Sequence, residues 1–303
     1  AYAVAGRSSY LDGGIVLVAL DPLNGRLLHE ARIAHQSVDI PVNSKELSSG
    51  FAMEGALAEV PVGDGQRVYV RQHEFDGKLA ALPVKRLTRN GDTEVGLHLM
   101  ATSDLLDDSG FNRTFWTYAK RWPGYYFGTD APKSGQMLVF DGATTFGIKA
   151  HAGKQGEHSS IFFPGKNGWL LFADDNGNEP ALAPAAANKD KGKPGLMRQQ
   201  PAKWTVWTPI LVRAMVLTGA DTQDRDRTLF VCGPPDVVSE QEPLAAYEGR
   251  AGALLRAVSA AEGTTLSELR LDTPPVWDGM IATEGRLYIS LADGSIAGLA
   301  QNP

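Results

Sequence analysis

A chain of 303 residues holds one large or two ordinary domains with a substantial buried core, and its 43% hydrophobic content is that of a globular protein. A net charge of −6 argues against a nucleic-acid partner, which shows as a basic stripe, and no apolar run is long enough to span a bilayer. The single cysteine, Cys232, excludes an intrachain disulfide and a zinc site built from several thiolates.

The first residues, AYAVAGRSSY, carry no Met and no signal peptide, which predicts a processed chain or a C-terminal part of a longer one. Next, GGIVLVALD (13–21) is a strand run, followed by the turn PLNG and a second run, RLLHEARI (26–33). QRVYVRQHEFDGKLAAL (66–82) reads strand, Asp-Gly turn, strand, and QMLVFDGATTFGIKA (136–150) repeats the pattern around Asp141-Gly142. GWLLFADDNGNEPAL (168–182), RTLFVCGPP (227–235), GALLRAVSAAEGTTLSELRL (252–271) and GRLYISLADGSIAGLA (285–300) complete the series. Short runs joined by Asp-Gly and Asn-Gly turns are the hairpin signature, so the class is all-β. A short surface helix leading into a strand is predicted within EQEPLAAYEGRAGALLRAV. Residues 183–203, Lys-rich and punctuated by Pro and Gly, read as an inserted polar loop. Recurrence of the unit suggests radial repetition: one β-propeller domain over 1–303, built of four-stranded antiparallel blades with inserted loops.

VALDPLNGRLLHE (18–30) resembles the repeat of the pyrroloquinoline-quinone (PQQ)-type β-propellers, in which Ala-x-Asp leads into a Thr/Asn-Gly turn and then a strand ending in Trp. Ala19, Asp21, Asn24 and Gly25 match, and His29 stands where the Trp would be. AVSAAEGTTLSEL (257–269) is a weaker copy, with Ala257 and Gly263 matching, Ser259 in place of the Asp and Leu269 near the Trp position. In that family the turn and the Trp stack dock one blade onto the next. SSYLDGGIVLVALDP, the LDDSGFNRTFW region, WTPILVRAMVL and FVCGPPDVV together resemble large secreted PQQ-like repeat proteins of planctomycete-type bacteria. The resemblance implies a bacterial, periplasmic or extracellular propeller. It also brings quinoprotein dehydrogenase into view, but one cysteine cannot form the vicinal disulfide under which such enzymes hold PQQ, and no CxxCH haem motif is present.

LDDSGFNRTFW (106–116) sets two adjacent carboxylates, a Ser-Gly turn, an Asn-Arg pair and a Phe-Trp within eleven residues. Asp107 and Asp108 are candidate ligands for calcium or a candidate acid/base pair, although no DxDxDG spacing appears; as turn caps they would leave Arg113 as their ion-pair partner. Phe111, Phe115, Trp116, Tyr118, Trp122, Tyr125, Tyr126 and Phe127 follow one another closely, interleaved with Arg113, Lys120 and Arg121. Such aromatics stack on sugar rings or pack between blades. Asp107, Asp108, Asn112, Arg113, Trp116, Trp122, Tyr125 and Tyr126 are therefore the candidate binding residues. His98, Arg113 and Tyr118 are the candidate catalytic set, in the manner of lyases that abstract a proton beside a uronate carboxylate. The six histidines are scattered, with no HxH or HExxH pair and hence no sequence-local metal site.

The leading expectation is a non-catalytic scaffold that presents loops to a protein partner, a second copy of itself or a glycan, with no cofactor. The alternative is a polysaccharide lyase or hydrolase acting at the channel mouth.

Overall fold

The computed structural model describes residues 1–35, 61–70, 73–83, 98–101, 116–121, 131–150, 165, 168–182, 196–197, 200–219 and 227–300. Among these all regular structure is β-strand. The chain divides into two compact units, Ala1–Ala131 with Glu179–Gln199, and Pro132–Asn178 with Gln200–Pro303.

In the first unit β1 (Tyr2–Ala5), β2 (Ile15–Leu20) and β3 (Leu27–Ile33) form an antiparallel meander. β4 (Val62–Gly63), β5 (Arg67–Val70) and β6 (His73–Asp76) form a second. The period-2 alternation of IVLVAL turns Ile15, Leu17 and Ala19 to one face, where with Ile33 they pack against Val68, Val70, Phe75 and Leu79. Each fully buried aliphatic or Phe side chain here contributes about 1.5–3 kcal/mol. The hydroxyl of Tyr2 donates to the Gly77 carbonyl at 2.9 Å, tying the first meander to the turn after β6. β7 (His98–Ala101) pairs antiparallel with β8 (Trp116–Ala119), with His98 opposite Ala119 and Ala101 opposite Trp116.

In the second unit β9 (Ser134–Gly135) precedes β10 (Met137–Phe140), β11 (Thr144–Lys149) and β12 (Trp169–Asp175). The chain then returns to the first unit, where β13 (Ala181–Leu182) pairs with β14 (Leu196–Met197). β14 lies inside the range read as an inserted polar loop, 183–203, most of which lies outside the described residues. β15 (Trp204–Thr208) then completes a four-stranded sheet in the order β10-β11-β12-β15. β16 (Ala214–Thr218), β17 (Thr228–Gly233), β18 (Ala253–Ser259) and β19 (Thr265–Leu271) make the next four-stranded sheet. β20 (Pro275–Thr283), β21 (Arg286–Leu291) and β22 (Ile296–Ala300) make a three-stranded one.

The middle sheet of this unit is buried on both faces, and its sequence shows why. Met215, Leu229, Val231, Leu254 and Val258 join a core with Met137, Phe146, Ile148 and Leu171 of the preceding sheet. Ala214, Cys232, Ala253 and Leu255 turn the other way, onto Met280, Leu287 and Ile289 of the following sheet. Alternation along β16, β17 and β18 thus supplies two cores at once. The first strand of each sheet packs against the first strand of the next, β10 on β16 and β16 on β20. Up-and-down sheets laid face to face with first strands adjacent are propeller blades, and the all-β, blade-built fold read from the strand runs is what the chain adopts.

The surface helix predicted near residue 245 does not form. After Pro243 the N–H groups of Gly249, Glu248 and Arg250 bond to carbonyls three, four and five residues back, at 3.0, 2.9 and 2.7 Å, so the segment winds as turns into β18.

Candidate functional site

The two stretches that resemble the PQQ-type repeat fold into the same turn. At the first, the Asp21 N–H donates to the Arg26 carbonyl (2.9 Å) and the Gly25 N–H to the Asp21 carbonyl (2.8 Å), with Gly25 at φ +73°. At the second, the Ser259 N–H donates to Thr264 (2.8 Å) and the Gly263 N–H to Ser259 (2.8 Å), with Gly263 at φ +74°. Both glycines occupy the left-handed region that L side chains avoid. In each copy the strand register slips just before the turn, between Ala19 and Leu20 and between Ala257 and Val258. Asp21 adds side-chain bonds, accepting from the Leu23 N–H and from Asn24 Nδ2, both at 3.0 Å. Ser259 does the same more weakly, its Oγ accepting from the Glu262 N–H at 3.3 Å.

The second turn carries a docked tryptophan. Trp204, at the start of β15, donates from Nε1 to the Ala260 carbonyl at 2.9 Å. Its ring lies so close over Gly263 that a Cβ there would stand 2.7 Å from it. Phe146 flanks the ring at a centroid distance of 6.0 Å. Beside it, Arg227 pairs with Asp141 of the neighbouring blade, and the Arg227 carbonyl accepts from the Ala260 N–H at 3.1 Å. Burial favours the neutral form of Asp141, but the N–H groups of Ala143 and Thr144 and the Arg227 guanidinium outweigh it and hold the carboxyl below its ordinary range. Lys203 Nζ donates to Thr144 Oγ1, and Thr145 Oγ1 to Asn176 Oδ1, both at 2.6 Å. The blade joint therefore combines a docked indole with the Arg227–Asp141 ion pair, while the Lys203 and Thr145 bonds brace the first blade internally. Sequence reading missed Trp204 because the repeat places its Trp on the strand after each matched turn, whereas the tryptophan that docks here comes from the preceding blade.

Of the sequence-predicted site, Asp107, Asp108, Asn112, Arg113, Trp122, Tyr125 and Tyr126 lie outside the described residues. Trp116 and Tyr118 lie on β8 and are buried, at 4% and 7% exposure. Burial, and then the charges of Asp64 and Glu179, push the Tyr118 hydroxyl up from its ordinary value. His98 sits on β7 and pairs with Ala119, next along the strand from Tyr118, so the backbone brings these two catalytic candidates onto neighbouring strands.

Two polar clusters were invisible in the sequence because their members are far apart along it or read as ordinary turn residues. Tyr69 is fully buried with its hydroxyl on the Asp64 carboxylate at 2.8 Å, while the same carboxylate accepts from the N–H groups of Gln66 and Arg67. The rings of Tyr10, His35 and His73 follow one another, tilted, at 5.2 and 5.5 Å between centroids, and His35 Nδ1 is buried with no hydrogen-bond partner among the described residues. Among the described residues no group of three or more His, Cys, Asp or Glu converges as metal ligands. Cys232 is buried, and burial pushes its thiol up to about 12, which keeps it protonated and unreactive.

No family model matches the chain, and no curated protein matches it. Among solved structures, it is similar to BamB from Moraxella catarrhalis at 12% identity and a TM-score of 0.37, covering 93% of this chain and 66% of that one. It is also similar to BBS1N, in a complex with ARL6DN, at 10% identity and a TM-score of 0.33, covering 98% of this chain and 92% of that one. Likeness of this order carries no functional inference by itself.

Proposed function

We propose that this protein is a non-catalytic scaffold, a β-propeller of divergent PQQ-type blades that works in the periplasm or outside the cell. The relationship extends on this reading to the large secreted repeat proteins of planctomycete-type bacteria. One observation carries the scaffold reading: the described turn carboxylates serve the fold. Asp21, Asp64, Asp76, Asp141, Asp175 and Asp293 each accept backbone N–H groups of their own turns. Carboxylates held this way are oriented toward the backbone, unsuited to moving protons to and from a substrate. The isomorphous turns and the Trp204 dock support the PQQ-type assignment of the blades.

Partner contacts fall, on this reading, on Trp122, Tyr125 and Tyr126 rather than on the buried Trp116, with Asp107, Asp108, Asn112 and Arg113 supplying polar contacts to a protein surface or a glycan. The test pairs binding with turnover. The purified chain is incubated with a panel of acidic polysaccharides while new reducing or unsaturated ends are measured, and binding is followed in parallel for the parent and for Trp122→Ala with Tyr125→Ala. Binding that weakens in the double variant, with no new ends, is the expected result. Release of new ends would replace the scaffold with a lyase or hydrolase acting through His98, Arg113 and Tyr118.

A further inference from the structure

Six Asp-Gly dipeptides punctuate the chain, at Asp12, Asp64, Asp76, Asp141, Asp278 and Asp293. Such a pair can react with itself. The glycine amide nitrogen attacks the aspartate side-chain carbonyl carbon, the C–OH bond breaks, and water leaves with the amide proton. The five-membered succinimide that results is reopened by water at either carbonyl. One opening restores aspartate and the other gives isoaspartate, in which the backbone runs through Cβ. No oxidant or co-reactant beyond water is needed. The reaction demands a neutral carboxyl free to turn back onto the following nitrogen, and glycine offers that nitrogen the least steric cover.

Five of the six pairs are held away from this geometry. Asp12 receives Nε and Nη2 of Arg7 at 2.8 and 2.6 Å. Asp64 accepts two amides and the Tyr69 hydroxyl, and Asp76 accepts the N–H groups of Lys78 and Ala80 at 2.9 Å. Asp141 accepts two amides and Arg227, and Asp293 accepts the amide and hydroxyl of Ser295. Asp278 differs. It sits in a bulge of β20, where register is lost between Pro275 opposite Leu291 and Met280 opposite Ile289. Its N–H donates to the Arg213 carbonyl at 2.7 Å, but its carboxyl has no hydrogen bond or ion pair among the described residues. Its backbone is held at φ +54°.

We propose that Asp278-Gly279 is a self-modification site, where the native fold directs succinimide formation and conversion to isoaspartate while protecting the other five pairs. The residue is exposed to solvent, which admits the water of ring opening. Desolvation of the carboxyl pushes its pKa up to about 6, so more of it is neutral at neutral pH than of an ordinary aspartate. The product adds a methylene to the backbone of β20, the strand that packs on β16.

The experiment ages the native protein and a denatured sample side by side at about pH 6 and about pH 8, followed by trypsin digestion. Cleavage after Arg270 and Arg286 isolates residues 271–286, which contain no asparagine, so any isobaric species of shifted retention reports aspartate chemistry. Labelling by an isoaspartyl O-methyltransferase confirms it. In the native sample the isoaspartyl form of this peptide should accumulate roughly tenfold faster than in the peptides bearing Asp76 or Asp141, and faster at the lower pH. In the denatured sample the peptides should converge. Asp278→Glu should abolish the signal, and Asp278→Asn should accelerate it with loss of ammonia in place of water. Native rates no higher at Asp278 than at the other pairs, or a signal that survives Asp278→Glu, would overturn the proposal.

Discussion

The turn at 21–26 and the turn at 259–264 share two backbone hydrogen bonds, a left-handed glycine and a register slip, yet they live in different surroundings. The first stands open, with Leu23 at 94% exposure and nothing within 4 Å of a Cβ placed on Gly25. The second lies under Trp204 and beside the Arg227–Asp141 pair. Turn shape is therefore a local property, set by a short polar residue, a glycine and the strands on either side. Docking is a tertiary property, added by a residue 55 to 60 positions earlier in the chain. A relative can lose either without losing the other.

Removing the dock gives the largest effect expected. Trp204→Ala deletes the indole from over Gly263, its hydrogen bond to Ala260 and its contact with Phe146, and should lower stability by about 3 kcal/mol. Chemical denaturation followed by far-ultraviolet circular dichroism measures it. A loss below about 1 kcal/mol would mean that the shared apolar core and the Arg227–Asp141 pair join the two blades without the indole.

The glycines sharpen the contrast. Gly25→Ala meets only the left-handed penalty, about 1 kcal/mol, because space is free around it. Gly263→Ala meets the same penalty and also forces the Trp204 ring outward, for a total of about 2–3 kcal/mol. In a Trp204→Ala background the gap between the two should shrink to what the Val206 side chain, 3.1 Å from a Cβ at position 263, still costs, and a double-mutant cycle reads the part lost as the docking contact itself.

How much of this was legible beforehand divides along the same line. IVLVAL, TLFVCG and ALLRAVS announce strands through alternation and β-branched content, and Asp-Gly and Asn-Gly mark the turns, because those signals act over a few residues. The dock was not legible: Trp204 sits at the end of a polar insertion and meets its turn only once two sheets are face to face. The helix expected near Ala245 failed for a related reason, since local composition favoured it while Pro243 and the strand waiting at Ala253 set its path. The site suffered most. His98 and Tyr118 come onto neighbouring strands through pairing alone, and Trp116, read as a binding residue, and Tyr118, read as catalytic, are buried on β8.

The ion pair beside the dock adds a pH dependence. Asp141 titrates lower in the folded chain than in the unfolded one, so its contribution is complete above about pH 4 and is lost as the pH falls through the folded value. Asp141→Asn should lower stability by about 1–2 kcal/mol at neutral pH and flatten the acid limb of a stability–pH curve. An acid limb of unchanged slope would show that the pair contributes nothing to joining the blades.

The smallest effect separates the two turns at their first residue. Asp21→Ala removes the acceptor for the Leu23 N–H and for Asn24 Nδ2 and should lower stability by about 1 kcal/mol. Asp21→Ser should recover about half of that, since a serine makes the corresponding bond at position 259. Ser259→Ala should fall within about 0.5 kcal/mol of the parent, because its bond to Glu262 is long and Trp204 holds that turn from above. The ranking inverts if docking leaves the covered turn dependent on its own side chain. A Ser259→Ala loss larger than that of Asp21→Ala would show the indole resting on a turn already formed, rather than helping to hold it in shape.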